Sequence, residues 1–265
     1  MRPSGRPILT LTPIRQQSSL NRMLRFTRHG FREMLIGSLV LIVVAIGLGW
    51  AWWPLALVVL PVLVWLFAFF RDPERVVPAD QHVMVSPADG RVSDIVELPH
   101  YELLGGPCVR VGIFLSVFNV HINRAPCDGR VVEVIYKRGK FLSALNHAQA
   151  SEQNESNTIV LAEPAGERRI AVVKQIVGLI ARRIVFTAQR GDMLVRGQRI
   201  GMIKFGSRTE LYIAKWLEPT ITVKVGQTVR GAADVIATLG QPIRGQVRQL
   251  DDEEFEPLVG RETPA

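Results

Sequence analysis

The amino-acid sequence predicts a mostly β fold, a β-sandwich or barrel-like domain preceded by an N-terminal membrane helical hairpin. Two observations support this prediction. Residues 34–70 contain no charged side chain, which is typical of membrane helices. After residue 71 the chain changes to short apolar runs separated by turn residues, which is typical of strands. The predicted organisation is a basic, partly disordered tail at 1–33, the hairpin at 34–70, the β domain at 71–245 and an acidic tail at 246–265.

The apolar stretch at 34–70 is predicted to form two helices. As a single helix it would be about 55 Å long, whereas the hydrocarbon core of a bilayer is about 30 Å thick. Gly47, Gly49 and Pro54 are expected to break it into two halves, with three tryptophans at the break. The sequence leaves open whether the hairpin spans the bilayer or dips into it. The alternative is a buried hairpin of a soluble fold.

The charge of the chain favours a polyanionic partner. The 265 residues include 32 Lys and Arg against 24 Asp and Glu, a net charge of +8. Such a balance attracts nucleic acid or an anionic lipid surface, and the apolar hairpin favours lipid and argues against nucleic acid. Arginines flank the hairpin on both sides, which predicts a cell-membrane protein with its β domain on the cytoplasmic side. Cys108 and Cys127 match no metal-ligand spacing and no disulfide framework, so no metal site is predicted.

Two hairpins are predicted within the β domain. The first joins apolar runs at 84–98 on either side of Asp89-Gly90, and the second joins the runs at 158–162 and 169–177. Near the C-terminal end, the glycine-rich segments 191–201 and 226–232 resemble each other. Their pattern is similar to the strand–turn–strand, lipoyl-like hairpin units of lipoyl and biotinyl carrier domains, although no lysine has the carrier context.

Three sites place a chemically able side chain between apolar runs. They are Asp89 in the segment 86–90, His121 in the segment 118–126, and Ser207 directly after Gly206. Each has an ordinary explanation, because Asp-Gly and Gly-Ser are common in turns and a histidine can lie hydrogen-bonded in a core. Together the three residues could form an acid–histidine–nucleophile set, which is recognised by geometry and not by chain order.

At these sites the sequence resembles the phosphatidylserine decarboxylase family, in particular its short prokaryotic form. The matching stretches, in the family's order, are FRDPER at 70–75, SPADGRV at 86–92, FNVHINRAP at 118–126, NESN at 154–157, IARRI at 180–184 and GMIKFGSR at 201–208. The resemblance covers about residues 70–239 and extends to the membrane hairpin. It implies that the β domain is a pyruvoyl-dependent enzyme converting phosphatidylserine to phosphatidylethanolamine and carbon dioxide in phospholipid biosynthesis.

The resemblance also implies autocatalytic cleavage between Gly206 and Ser207. Ser207 Oγ would attack the Gly206 carbonyl and convert the amide to an ester, and β-elimination and hydrolysis would then leave a pyruvoyl group and ammonia. The products would be a β chain, 1–206, and an α chain, 207–265, which stay together as a heterodimer. The pyruvoyl derived from Ser207 would be the only cofactor, forming a Schiff base with the substrate and accepting electrons as carbon dioxide leaves.

The remaining site residues receive roles from the same resemblance. His121 is the expected general acid because the ordinary pKa of histidine lies near neutrality, and Asp89 is expected to orient it. Arg208, Asn123 and Arg124 are predicted to bind substrate, with a structural salt bridge as the alternative for Arg208. The expected partners are phosphatidylserine and anionic membrane lipid, and a higher oligomer is left open.

Two rival functions remain compatible with parts of the sequence. A membrane-anchored β-barrel adaptor without enzymatic activity would explain the hairpin and the glycine-rich segments. It would leave the motifs at Asp89, His121 and Gly206-Ser207 without a role. A pyruvoyl decarboxylase acting on a soluble amino acid would explain those motifs, but the membrane hairpin argues against it.

Overall fold

The computed structural model of the chain describes residues 25–141, 151–178, 183–204 and 207–245. The predicted N-terminal tail up to residue 24 and the predicted acidic tail 246–265 lie outside these ranges. The described chain begins with three helices, which are α1 (Phe31–Ala51), α2 (Trp53–Ala56) and α3 (Val59–Phe69). An antiparallel β-bridge between Phe26 and Arg71 joins the two ends of this helical region. We call the chain around this bridge, residues 25–28 and 69–75, the neck.

The break between the helices lies among the tryptophans, within the predicted window, but the two glycines do not cause it. Helix α1 runs without interruption through Gly47 and Gly49, so the prediction that these glycines break it is wrong. The chain turns instead at Trp52, whose backbone is extended (φ −165°, ψ 113°), and Pro54 then stands in the first turn of α2. Proline is tolerated there because the first N–H groups of a helix have no partner within the helix. Helix α1 has 21 residues and is therefore about 32 Å long.

Helices α1 and α3 contact each other through a small residue. A Cβ added at Gly37 would lie 2.8 Å from Leu66 Cδ2, so the absence of a side chain permits this close approach. The segment Arg28–Ala51 is long and apolar enough to cross a membrane, with a mean hydropathy of 2.4, and only 6 % of it is buried. By itself this is weak evidence, since core helices and signal sequences can share this length and composition.

The rest of the described chain is mostly β, as the sequence predicts. Its strands are β1 (Val83–Val85), β2 (Gly90–Tyr101), β3 (Gly106–Leu115), β4 (Ile122–Arg124), β5 (Gly129–Lys137), β6 (Ser156–Ala162), β7 (Arg169–Val177), β8 (Arg183–Phe186), β9 (Met193–Leu194), β10 (Arg199–Lys204), β11 (Ser207–Ala214), β12 (Pro219–Ile221), β13 (Thr228–Val229) and β14 (Val235–Leu239). Eight of them form one antiparallel sheet in the order β13-β2-β3-β11-β7-β6-β5-β9, which curls into a half-barrel. Two three-stranded sheets, β1-β14-β12 and β4-β10-β8, complete the fold.

The main core covers one face of the large sheet. Because successive side chains of a strand point to opposite faces, Leu211 and Ile213 of β11 lie on the same face as Ser207. They pack in the main core with Ile113 and Leu115 of the neighbouring strand β3. Strand β11 therefore runs through the centre of the domain with both of its faces buried.

One of the two predicted hairpins forms. Strands β6 and β7 pair antiparallel across the predicted turn. The hairpin predicted at 84–98 is wrong, because β1 pairs with β14 whereas β2 pairs with β3. Residues 86–89 connect β1 of one sheet to β2 of another, and side-chain hydrogen bonds stabilise this connection. Ser86 Oγ donates to the carbonyl of Ala88, and the Asp89 carboxylate accepts from the N–H of Gly231.

The two glycine-rich segments share a turn but do not form local hairpins. Gly197 and Gly226 have left-handed backbones (φ 82° and 88°). The glutamine that follows each of them, Gln198 or Gln227, accepts a hydrogen bond at its side chain from the backbone N–H three residues earlier. Strand β9 pairs with β5, however, and β13 pairs with β2. The sequence similarity therefore reflects a common turn followed by a strand.

Candidate active site

Ser207 lies at the start of β11, in the middle of the large sheet. Its ladder partners are Leu115 of β3 on one side and Val177 of β7 on the other, and its side chain is fully buried. Within the described part of the chain, Ser207 Oγ has no hydrogen-bond partner. Gly206, the predicted residue on the other side of the scissile bond, lies outside the described residues.

His121 follows β3 after a short loop, residues 116–120, which we call the histidine loop. The side chain of Asn119 stabilises this loop by accepting from the backbone N–H and the hydroxyl of Ser116. The carbonyl of Asn119 lies 2.9 Å from His121 Nδ1. The imidazole is fully buried and packs on the ring of Phe69 at the end of α3, with ring centroids 4.3 Å apart. The end of the helical hairpin therefore forms one wall of the histidine site.

The sheet brings the chain segments of His121 and Ser207 side by side. The carbonyl of His121 accepts a hydrogen bond from the N–H of Ile203 at 3.2 Å. Four residues later Ser207 pairs with Leu115, at the point where the histidine loop begins. Residues 115–121 thus connect the start of β11 to β10, and this part of the chain defines the corner of the domain that contains both His121 and Ser207.

The protonation state of His121 follows from its surroundings. Burial and the positive charge of Arg71 lower the pKa of His121 to about 4, and the hydrogen bond to the Asn119 carbonyl opposes them only in part, so the imidazole is neutral at neutral pH. Because a carbonyl oxygen only accepts, the proton of the neutral ring is assigned to Nδ1, which donates to Asn119. Nε2 is then a bare acceptor. It has no partner among the described residues.

Two buried atoms with complementary chemistry therefore lack partners in this corner. Ser207 Oγ carries a proton to donate, and His121 Nε2 carries a lone pair to accept one. Buried polar atoms without partners are rare in folded proteins and call for an explanation. A hydroxyl and a neutral imidazole can act as nucleophile and general base. The sequence suggested His121 as an acid with a pKa near neutrality, whereas burial makes it a base in this state.

Asp89 does not orient His121 in this structure, in contrast to the prediction. Its carboxylate accepts from the Arg75 guanidinium at 2.6 Å and from the N–H of Gly231 at 2.8 Å. Burial raises the pKa of Asp89 despite the opposing charge of Arg75. No hydrogen bond joins Asp89 to His121 within the described ranges. The carboxylate of Asp89 forms its ion pair with Arg75. The Asn119 carbonyl orients the imidazole instead.

Arg208 forms the structural salt bridges that the sequence analysis left open as the alternative to substrate binding. Its side chain is fully buried on the opposite face of β11 from Ser207. The guanidinium donates to Glu210 at 2.9 Å, to Asp94 at 2.6 Å and to Ser93. These donors face away from Ser207 and already have partners within the chain, so the structure favours the salt-bridge alternative for Arg208.

Asn123 and Arg124 are also buried and hydrogen-bonded within the chain. Asn123 donates to Thr209 Oγ1 at 2.9 Å and accepts from Gln175 at 2.8 Å. Arg124 donates to Asp72 at 2.9 Å and to the Gly197 carbonyl. Both side chains therefore have structural contacts, and substrate binding by either of them stays a prediction. Asn123 connects β4 to the strand that carries Ser207, and Arg124 connects β4 to the chain after the neck.

The sequence analysis missed three residues that shape this corner: Phe69, Arg71 and Asn119. They lie in or beside the stretches 70–75 and 118–126, which were recognised as motifs without a role for these positions. Arg71 donates to the Phe118 carbonyl at 2.7 Å and so connects the neck to the histidine loop. Among the described residues, no group of three or more His, Cys, Asp or Glu side chains is arranged to hold a metal ion.

The chain is also similar in sequence to known proteins. The family model described as phosphatidylserine decarboxylase matches residues 63–237. A protein of Rhodopirellula baltica called phosphatidylserine decarboxylase proenzyme is 45 % identical over 218 residues, which cover 82 % of this chain and 90 % of the relative. A protein of Syntrophus aciditrophicus with the same description is 47 % identical over 182 residues, covering 68 % of this chain and 83 % of the relative.

Proposed function

Because this chain belongs to the phosphatidylserine decarboxylase family, we propose that it is a proenzyme that cuts itself between Gly206 and Ser207. The family's reaction removes the carboxylate of phosphatidylserine as carbon dioxide and leaves phosphatidylethanolamine. Both curated relatives carry the word proenzyme in their descriptions, which supports processing of the chain. The observation that carries our proposal is the pair of unpartnered buried atoms, Ser207 Oγ and His121 Nε2.

The proposed cleavage uses these two atoms in sequence. His121 Nε2 takes the hydroxyl proton while Ser207 Oγ attacks the Gly206 carbonyl, and the proton passes to the released Ser207 nitrogen. The amide is thereby exchanged for an ester. Removal of the Ser207 α-proton breaks the Cβ–Oγ bond and releases the carboxylate of Gly206. Water then replaces the nitrogen as ammonia, which leaves a pyruvoyl group at the start of the α chain.

The same corner serves the decarboxylation in this proposal. The pyruvoyl ketone supplies the electron sink for the departing carbon dioxide. His121 packs against Phe69 at the end of the helical hairpin and, once it holds a proton, can return that proton to the substrate carbon. The fully buried position of Ser207 keeps water away from the reacting centre.

The sheet order supports a stable pair of chains after cleavage. Strand β11 of the proposed α chain (207–265) lies between β3 and β7 of the proposed β chain (1–206). Strands β13 and β14 of the α chain pair with β2 and β1 of the β chain. Hydrogen bonding along these strands would hold the two products together without the peptide bond.

The helical hairpin supports access to a lipid substrate. We propose that 34–70 enters the bilayer while 71–245 forms the catalytic domain, and that the flanking arginines keep both ends cytoplasmic. Trp50, at the far end of the hairpin, is 92 % exposed, as expected for an aromatic residue that meets lipid headgroups. At the near end Phe69 touches His121. The acyl chains of phosphatidylserine could therefore stay in the membrane while the headgroup reaches the site.

A denaturing gel with mass spectrometry tests the cleavage. We expect two fragments divided between residues 206 and 207, with the smaller fragment blocked by a pyruvoyl group. Ser207→Ala should remain one chain, and His121→Ala should cleave about 10²–10⁴ times more slowly, the usual contribution of a general base. A wild type that folds but stays intact would refute the proposal. Carbon dioxide release from phosphatidylserine, compared with release from free serine, tests the substrate.

A further inference from the structure

Arg71 occupies the junction between the neck and the histidine loop. Its guanidinium donates to the carbonyl of Ala68 at the end of α3 and to the carbonyl of Phe118 in the loop, at 2.5 and 2.7 Å. The next residue of the loop, Asn119, is the one that orients His121. Arg71 is partly exposed, so part of the side chain still reaches solvent at the edge of the site.

The charges around the neck single out Arg71. Four other arginines of this region are paired with carboxylates: Arg25 with Glu74, Arg75 with Asp89, and both Arg124 and Arg199 with Asp72. Arg28 and Arg32 differ from Arg71 in being exposed to solvent. Among the described residues, Arg71 donates only to backbone carbonyls and forms no ion pair with a carboxylate. Burial lowers the pKa of Arg71, and the charge of Asp89, which forms its ion pair with Arg75, opposes this effect only in part. Arg71 is therefore available to an anionic ligand.

The position of Arg71 matches the depth of a phospholipid headgroup. Helix α1 is about 32 Å long, close to the thickness of the hydrocarbon core. With the exposed tryptophans at one interface, the neck lies at the other, where lipid phosphates are found. The charge of Arg71 also lowers the pKa of His121, so the guanidinium lies within electrostatic range of the imidazole.

We propose that Arg71 binds the phosphodiester of the phospholipid headgroup and so places the serine moiety against the Ser207 corner. This inference rests on the proposed function and names the recognition residue of that same site. Phosphate is favoured over the substrate carboxylate for a chemical reason. An arginine on the carboxylate would stabilise the group that must leave as neutral carbon dioxide, and so it would stabilise the ground state more than the transition state. The phosphodiester keeps its charge throughout the reaction.

Kinetics of the cleaved enzyme in detergent micelles or vesicles test this role. For Arg71→Gln we expect the KM for phosphatidylserine to rise about 10–100-fold, the usual worth of a hydrogen-bonded charge pair. The inhibition constant of phosphatidylethanolamine should rise by a similar factor, because the product keeps the phosphodiester. Arg71→Lys should give a smaller rise, since it retains the charge but not the planar fork.

Two control variants separate recognition from other effects. Arg25→Gln removes a positive charge at the same neck from an arginine that is paired with Glu74 and largely exposed, and it should leave KM unchanged. Trp65→Phe removes a different hydrogen bond to the histidine loop, the one to the Val117 carbonyl, and should also leave KM unchanged. A similar rise of KM in either control would overturn the proposal, because it would reflect surface charge or loop position.

A binding measurement keeps the proposal testable if Arg71→Gln fails to mature. Titration of short-chain phosphatidylethanolamine into uncleaved Ser207→Ala protein, with and without Arg71→Gln, needs no pyruvoyl group. The dissociation constant should rise about 10–100-fold in the double variant. An unchanged constant would overturn the phosphate contact, as would a KM effect on phosphatidylserine without any effect on phosphatidylethanolamine. A wild type that is not cleaved would instead refute the proposed self-cleavage. The binding measurement would still decide the role of Arg71, because it uses uncleaved protein.

Discussion

Strand β11 carries Ser207 and Thr209 on one face of the large sheet and Arg208, Glu210 and Tyr212 on the other. All five side chains are buried. On the second face the polar groups are paired with one another: Arg208 donates to Glu210, and the hydroxyl of Tyr212 donates to Glu210 at 2.7 Å. On the first face Ser207 Oγ has no partner among the described residues. We call the Arg208 face satisfied, because its buried polar groups have hydrogen-bond partners, and the Ser207 face unsatisfied, because Ser207 Oγ has none among the described residues.

The difference shows how a reactive residue can be held in place. The network on the Arg208 face extends to Asp94 of β2, so that it crosses from β11 over β3 to the next strand. If the chain is cut before Ser207, this residue becomes a chain end, and chain ends fray unless they are anchored. The side chain next to the cut is then already fixed by two ion pairs. Precise placement of reacting groups depends on such support from the neighbouring residues.

Removing the charge of Arg208 should disrupt the ion pairs of the satisfied face and cause the largest loss in the free energy of unfolding. Arg208→Met leaves Glu210 buried without its guanidinium partner, and breaking a buried pair in this way costs about 3–5 kcal/mol. We expect that loss in the free energy of unfolding of the uncleaved Ser207→Ala protein, measured by urea titration. The double variant Arg208→Met with Glu210→Met should recover part of the loss, because no unpaired charge remains. A single variant as stable as its parent would show that the network does not anchor the strand.

A side chain added on β3 next to the same ion pairs should lower the free energy of unfolding by a smaller amount. A Cβ added at Gly112 would lie 2.1 Å from an Arg208 guanidinium nitrogen and 2.5 Å from Asp94 Oδ2. Gly112→Ala must therefore displace the ion pair, at a cost of about 1–3 kcal/mol. Gly106→Ala is a matched control, since the space around this other glycine of β3 is open. Equal unfolding free energies for the two variants would contradict the steric argument.

The sequence predicted the chemistry of the first face but not the role of the second. Ser207 and His121 could be selected because few residue types can act as nucleophile or base. The alternation of the charged residues Arg208 and Glu210 with Ser207, Thr209 and Leu211 is visible in the sequence, but it fits a solvated face as well as a buried one. Only the fold brings Asp94, more than a hundred positions away, to the guanidinium. For the same reason the sequence assigned Asp89 to His121, whereas Arg75 has taken that carboxylate.

The helical region shows a similar limit. Gly47 and Gly49 suggested a break, because glycine in a helix costs about 1 kcal/mol relative to alanine. That cost is small beside the hydrogen bonds of a long helix, so α1 continues through both. Proline is tolerated in the first turn of a helix but not in its interior, and Pro54 accordingly lies in the first turn of α2, directly after the extended residue Trp52 has ended α1. The mostly β class was easier to predict, since it depends on many short apolar runs rather than on one residue.

The smallest expected effect is the pH dependence of the cleavage rate constant, which reports the protonation state of His121. A histidine of ordinary pKa, 6.5, would lose its function as a base progressively below that pH. Burial lowers the pKa of His121 to about 4, so Nε2 stays unprotonated from neutral pH down to about pH 5. The rate constant for cleavage of freshly synthesised chain should therefore be nearly constant over that range and fall about tenfold per pH unit below pH 4. A gel time course after a pH jump measures it. A decline that begins near pH 6.5 would mean that the imidazole is hydrated in the proenzyme, and the unpartnered Nε2 would then not be the poised base that the two faces of β11 imply.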